Sequence, residues 1–437
     1  MNKAILRIAI PNIISNITVP LMGIVSTAIA GHLEGNSALL IGELAIGASI
    51  FNLIYWSSSF IRMGTSGLTA QAYGRGDFQE TSNMLIRAMA ISLFMGIMIL
   101  IFQNPISRVT VGLMNGGDIA LEYTKTRIWA IPAGIMLFAF HGWFNGMQNA
   151  IIPMGVAIFI NTLHVVLSLI FANKYGMGVT GIAMASVVSQ WIGVMISVIL
   201  LVFRYGKTLI FKNVSNIFAS SALKELFSVN SDIIVRTACN VVVYFTFTAF
   251  SARMGDKNIL AVNALLLELF TLFAYMTDGF AYSAEALTGR FVGAKDRASL
   301  VSCVQKCLKW SLIIGVAFVG LYLVWWKDIL DMFMAEGESH AQVMAIASQY
   351  IWWVIIIPII GAMPFMLDGV MVGATITDIM RNSMLWSTAV YFATFYGLQP
   401  VIGNNALWAA FTLHIIVRGT YQYFKTNRLE AIYNKTR

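Results

Sequence analysis

The second half of the chain holds Asp232, Arg236, Glu268, Asp278, Glu285 and Asp368 inside stretches that are otherwise almost wholly apolar. At membrane depth such a residue costs at least about 2.5–3.5 kcal/mol on insertion scales, so each needs a partner or a task. A carboxylate there can take up a proton or a small cation. Asp232 and Arg236 lie four residues apart on one helix face, close enough to pair. Asp232 is then either part of a cation site or half of a self-neutralising ion pair. Asp368 follows Pro358 and Pro364 and directly precedes Gly369. A broken helix there would expose backbone carbonyls to an ion or a ligand; a hydrogen bond to a facing helix is the alternative. Asp278 also precedes a glycine, near the end of its stretch, where Arg290 offers a structural partner. Glu285 is nearer still to that end and reads as an interfacial partner. Glu268 stands about 15 Å from Asp278 along a helix, too far to share one ion. It is a candidate for proton uptake, or else a neutral, hydrogen-bonded carboxyl.

The polar groups at depth in the first half are neutral or basic: Asn16, Asn52, Arg62, His141, Asn161 and His164. His141 either carries a proton near neutrality or serves as a hydrogen-bond partner. Arg62 gates, pairs, or extends to lipid phosphate. Tyr55, Trp143 and Tyr244 fall mid-stretch, where a ring can stack on a cation. There is no Walker loop, and Gly64-Thr65-Ser66-Gly67 has the wrong glycine spacing for a nucleophile elbow. Cys303 and Cys307 are one helical turn apart with no neighbour to complete a metal site. Neither enzyme chemistry, a metal nor a resident cofactor is expected.

What must position these groups is a set of membrane helices. The 437 residues are 58% hydrophobic and only 11% charged, far below the roughly 25% charge of soluble domains. Apolar runs at 5–31, 41–70, 84–103, 127–148, 153–172, 180–203, 227–251, 259–285, 302–326, 348–372, 380–399 and 404–424 are each long enough to cross a bilayer. The fold class expected is an all-α polytopic membrane protein with twelve spans in two pseudo-symmetric six-helix lobes. With the N-terminus in the cytoplasm, most of the 28 Lys and Arg fall on that side, Arg381 and Arg418 among them. The positive-inside rule then puts both termini in the cytoplasm. The net charge of +8 is topological and does not point to nucleic acid, since the bases are scattered over several loops.

The two halves echo each other, at a constant offset of 216 through the first two spans and with a longer second copy beyond them. Ser15-Asn16-Ile17-Thr18-Val19 lies over Ser231-Asp232-Ile233-Ile234-Val235, and Leu44-Ala45-Ile46-Gly47-Ala48 over Leu260-Ala261-Val262-Asn263-Ala264. The exits Gly74-Arg75-Gly76-Asp77 and Gly293-Ala294-Lys295-Asp296 match, and His141-Gly142 with Gly146 is echoed by Asp368-Gly369 with Gly373. Arg62 falls on Asp278 at that offset. The lobes expected are 1–212 and 213–437, the second with a short cytoplasmic tail. Both enter the membrane in the same direction, with a binding site between them near the midplane.

The stretches Gly67-Leu68-Thr69-Ala70-Gln71-Ala72-Tyr73-Gly74-Arg75-Gly76-Asp77, Gly176-Met177-Gly178-Val179-Thr180-Gly181, Asp278-Gly279-Phe280-Ala281 and Met380-Arg381-Asn382 carry a resemblance. Over essentially its whole length the chain resembles the multidrug and toxic compound extrusion (MATE) transporters, most closely the DNA-damage-inducible protein F-like branch. The resemblance implies an antiporter in a bacterial inner membrane, exporting small amphipathic, often cationic compounds by alternating access. The driving ion would be H+ or Na+, bound mainly in the second lobe. No partner beyond substrate and membrane lipid is expected, and a monomer is. Departures accompany the matches. The family aspartate after the first-span proline falls at Ser26, and the fifth-span Asn, Asn, Asp pattern reads Asn161, His164 and Ser168. The first lobe thus lacks the acids that the family uses for proton coupling. A lipid-linked-precursor flippase of related architecture and a non-transporting membrane sensor or scaffold remain as alternative functions.

Overall fold

The structure, a computed structural model, describes residues 1–33, 37–210, 217–333 and 338–426. Every regular element among them is helical: α1 (Asn2–Gly31), α2 (Ser37–Ser58), α3 (Phe60–Arg75), α4 (Phe78–Ile101), α5 (Gln103–Leu113), α6 (Asp118–Arg127), α7 (Ile131–Gly146), α8 (Ile151–Leu169), α9 (Gly178–Tyr205), α10 (Ser220–Arg253), α11 (Lys257–Gly293), α12 (Arg297–Asp331), α13 (Glu338–Gly373), α14 (Thr377–Ile402) and α15 (Asn404–Lys425). Helices are the only open-ended way to satisfy backbone polar groups in lipid. Large apolar side chains stay on the outside, with Phe203 91% and Phe245 72% exposed, which suits lipid and not water.

Each of the twelve apolar runs is helical, with 41–70 divided between α2 and α3 and 127–148 running from the end of α6 into α7. Ten helical segments are long and apolar enough to cross a membrane without further argument. The remaining two spans, α14 and α15, are diluted by Asp378, Arg381, Asn404, His414, Arg418 and Gln422, of which Arg381, Arg418 and Gln422 matter below. The chain is an all-α polytopic membrane protein of the twelve-span, two-lobe class. Two helices were not expected, α5 and α6 between the third and fourth spans. Both are short and polar enough to read as loop.

Contacts divide the chain into two compact units, Ile10–Asn230 and Ser231–Arg437 with Met1–Ala9. The division falls within α10. The expected boundary at 212/213 and most of the C-terminal tail lie outside the described residues. Each unit has its own core. Leu85, Phe140, Trp143, Phe144 and Met147 centre the first. Phe247, Phe270, Phe273, Trp408 and Phe411 centre the second.

The same local devices occur in both units. Asp77 accepts a hydrogen bond from Glu80 N at 2.9 Å and starts α4. Asp296 does the same for α12 through Ser299 N at 3.0 Å. Asp296 lies outside the spans, and its hydrogen bonds with Ser299 hold its carboxyl below the usual range. Left-handed residues precede both caps, Gly76 at φ 73° and Lys295 at φ 56°. A Cβ on Gly142 would strike the carbonyl of Arg62, and one on Gly369 would strike that of Ala281. Gly146 meets Ser66 and Thr69 as Gly373 meets Glu285 and Thr288. These contacts correct one correspondence: Arg62 matches Ala281, not Asp278. The slip arises because the first unit's helix is interrupted at Ser59, whereas α11 runs through without a break.

Candidate functional site

Two polar groups are assembled from the residues singled out above, one per unit. In the second unit, Gly369 and Gly373 let α13 lie against α11, which fixes the orientation of Asp368. Asp368 is 3% exposed and is met from three directions. Arg236 on α10 donates Nε at 3.2 Å and Nη2 at 2.6 Å to its Oδ2. Arg418 on α15 donates Nη2 to the same oxygen. Gln422, one turn further along α15, donates Nε2 to Oδ1 at 2.6 Å and to Ser383 Oγ at 3.1 Å. Such charge-assisted bonds are the strong ones.

Asp232 is served separately. Arg381 on α14 donates to its Oδ1 at 2.6 Å, and Thr377 Oγ1 to its Oδ2 at 2.8 Å. The expected pairing of Asp232 with Arg236 is therefore corrected. The two are neighbours on α10, yet each is taken by a partner on another helix, Asp232 by Arg381 and Arg236 by Asp368. A second expectation also changes: α13 stays helical through Pro358 and Pro364, with no break beside Asp368. Backbone carbonyls are thus not laid open there.

The other acids of α11 are distributed along it. Glu268 is exposed, Asp278 half-buried, and Glu285 is 1% exposed in the tight contact with α13. Glu285 is therefore packed inside the unit. Tyr244 is half-buried, its ring against Phe270 and Phe411 at 6.2 and 5.9 Å.

In the first unit the corresponding place is neutral. His141 Nε2 lies 3.0 Å from Asn12 Oδ1, and the side-chain amides of Asn12 and Asn145 exchange hydrogen bonds at 3.3 Å. Asn16, one turn beyond Asn12, is half-buried. Arg62 is 6% exposed, so it is enclosed and does not extend to lipid phosphate. His164 is 2% exposed with Ser168 Oγ at 3.5 Å, while Asn161 on the same helix is half-buried. Tyr55 donates to Gln190 Oε1 at 3.0 Å. Trp143 is 0% exposed and donates its ring N–H to Thr81 O at 2.8 Å. It is a core residue, so the cleft role expected of it is withdrawn.

Arg381, Arg418, Gln422 and Asn12 were not among the expected site residues. A signal was present for two of them. Arg418 and Gln422 stand four residues apart inside the last apolar run, where two large polar groups on one face need a partner.

The fold and the paired packing define a two-lobe helical membrane transporter, and comparison places it. The MatE family pattern matches twice, at residues 11–170 and 233–396, in step with the internal repeat. The chain belongs to this family, the multidrug and toxic compound extrusion transporters. It is similar to DNA damage-inducible protein F of Escherichia coli strain K12, 33% identical over 96% of this chain and 90% of that one. It is also similar to a probable multidrug resistance protein NorM of Listeria monocytogenes, 22% identical over 98% and 97%. Among solved structures, the outward-facing conformation of a multidrug resistance MATE family transporter matches with a TM-score of 0.86. There the identity is 18% over 98% of this chain and 96% of that one.

Proposed function

We propose that the chain is a secondary active antiporter that exports small amphipathic compounds from a bacterial cytoplasm or inner leaflet. Its termini would face the cytoplasm, and it would work as a monomer without a resident cofactor. Similarity to proteins named for multidrug resistance supports export. The observation that carries the reading is the charged cluster enclosed in apolar helices, because charge at that depth is kept for transport work. Asp232 and Asp368 are both committed to arginines, so neither is a ready ligand for a cationic cargo or a sodium ion. The proposal therefore leaves the charge of the cargo unassigned at this point.

A proton needs one accessible carboxyl, and Glu268 on α11 is exposed. We assign it the coupling role, and proton over sodium as the driving ion. A sodium ion requires a shell of oxygens, which unbroken α13 does not lay open beside Asp368. Purified protein in liposomes, with a fluorescent amphiphile supplied outside, tests this when proton and sodium gradients are imposed separately. The proton gradient alone should drive uptake, and Glu268→Gln should stop it without weakening binding. Movement under a sodium gradient alone, or full proton-driven activity in Glu268→Gln, would overturn the assignment.

A further inference from the structure

The Asp368 cluster carries more positive charge than it balances. Two guanidiniums, those of Arg236 and Arg418, converge on one carboxylate. Asp232 does not make up the difference, because Arg381 and Thr377 take its oxygens. Asp278 on α11 makes no hydrogen bond or ion pair with Arg236 or Arg418 among the described residues. Arg418 is 3% exposed, and its Nε has no hydrogen-bond partner among the described residues. A buried charge in excess, with a donor unspent, is costly until an anion completes it. Arg418 is also stacked over the Phe365 ring at 5.3 Å, which holds its plane in place.

The neighbouring surface of α10 has a matching character. Arg236, Asn240 and Tyr244 follow at four-residue spacing, so they share one helix face, and all three are half-buried. Along about 12 Å of helix this face passes from guanidinium to amide to an aromatic ring that packs on Phe270 and Phe411. It offers charge at one end and an apolar body site at the other.

We propose that this face, with Arg418 behind it, seats an amphipathic acid, its anionic head on Arg236 and Arg418 Nε and its apolar body toward Tyr244. The proposal rests on the exporter reading above and gives its cargo a class. The head would share the guanidiniums with Asp368, so loading completes the charge balance and need not break the cluster.

The test uses the full chain in detergent and fluorescence titration with two probes, a dansylated amino acid with a free carboxylate and its methyl ester. The free acid should bind about tenfold more tightly than the ester, the scale of one charge-assisted hydrogen bond. Arg236→Gln should bring the two affinities together by weakening the acid alone, and Arg236→Lys should restore part of the preference. Equal affinity for acid and ester on the unaltered protein would overturn the seat, whatever the fate of any variant. So would an undiminished preference in a folded Arg236→Gln protein. Competition by phosphatidylglycerol but not phosphatidylcholine would also support the seat and identify a lipid phosphate as its source of acid. Binding is read without a gradient, so the outcome is separate from the exporter reading. That reading fails only when no probe moves in liposomes.

Discussion

The two units place different chemistry at the same point of the same packing. Where α7 meets α3, the slot holds His141, bound to Asn12, itself paired with Asn145. Where α13 meets α11, the slot holds Asp368 between two arginines and Gln422. The glycine contacts that create the slot are alike in both. A repeat therefore preserves the backbone approach and lets the buried polar group diverge. Neutral amides cost little when satisfied, whereas an ionic cluster loses far more when one member is removed.

That contrast ranks the effects of substitution. Asp368→Asn leaves Arg236 and Arg418 without their counter-charge and should cost about 3–5 kcal/mol, the scale of breaking a buried pair. Thermal unfolding in detergent should show the largest drop of the set. Asp232→Asn should cost less, about 1–3 kcal/mol, because the side chain of Arg381 is 36% exposed and can turn outward. If it proves as costly as Asp368→Asn, the exposure argument is wrong. Asn12→Ala in the first unit should cost about 1–2 kcal/mol, the scale of a neutral buried hydrogen-bond partner. A loss equal to that of Asp368→Asn would erase the contrast between the units. Trp143→Phe keeps the ring and loses the N–H bond to Thr81, so about 1 kcal/mol is expected, with ligand titrations unchanged. Weakened ligand binding there would return Trp143 to the cargo site. Glu268→Gln should leave the unfolding midpoint within experimental scatter, since the residue is exposed and outside the cluster.

Much of the architecture was legible in the chain, because crossing a bilayer requires long apolar runs and these announce themselves. The repeat was legible through glycine and cap positions, since close helix approach and chain reversal tolerate few residue types. The polar partnerships were less so. Four-residue spacing made Asp232 and Arg236 look like a pair, but spacing along one helix says nothing about side chains arriving from α13 and α14. Arg418 reads as a cytoplasmic topological charge when loops are counted, although it lies within an apolar run and faces Asp368. Trp143 looked like a cleft aromatic because depth along a helix is visible in sequence and rotation about its axis is not.

The central claim is that Asp368 and the arginines on α10 and α15 form one energetic unit inside the membrane region. A double-mutant cycle of Asp368→Asn and Arg418→Gln, read by unfolding in detergent, measures it directly. The account predicts that the double variant loses less than the sum of the two single losses, by about 2 kcal/mol or more. Losses that simply add, to within about 0.5 kcal/mol, would contradict it.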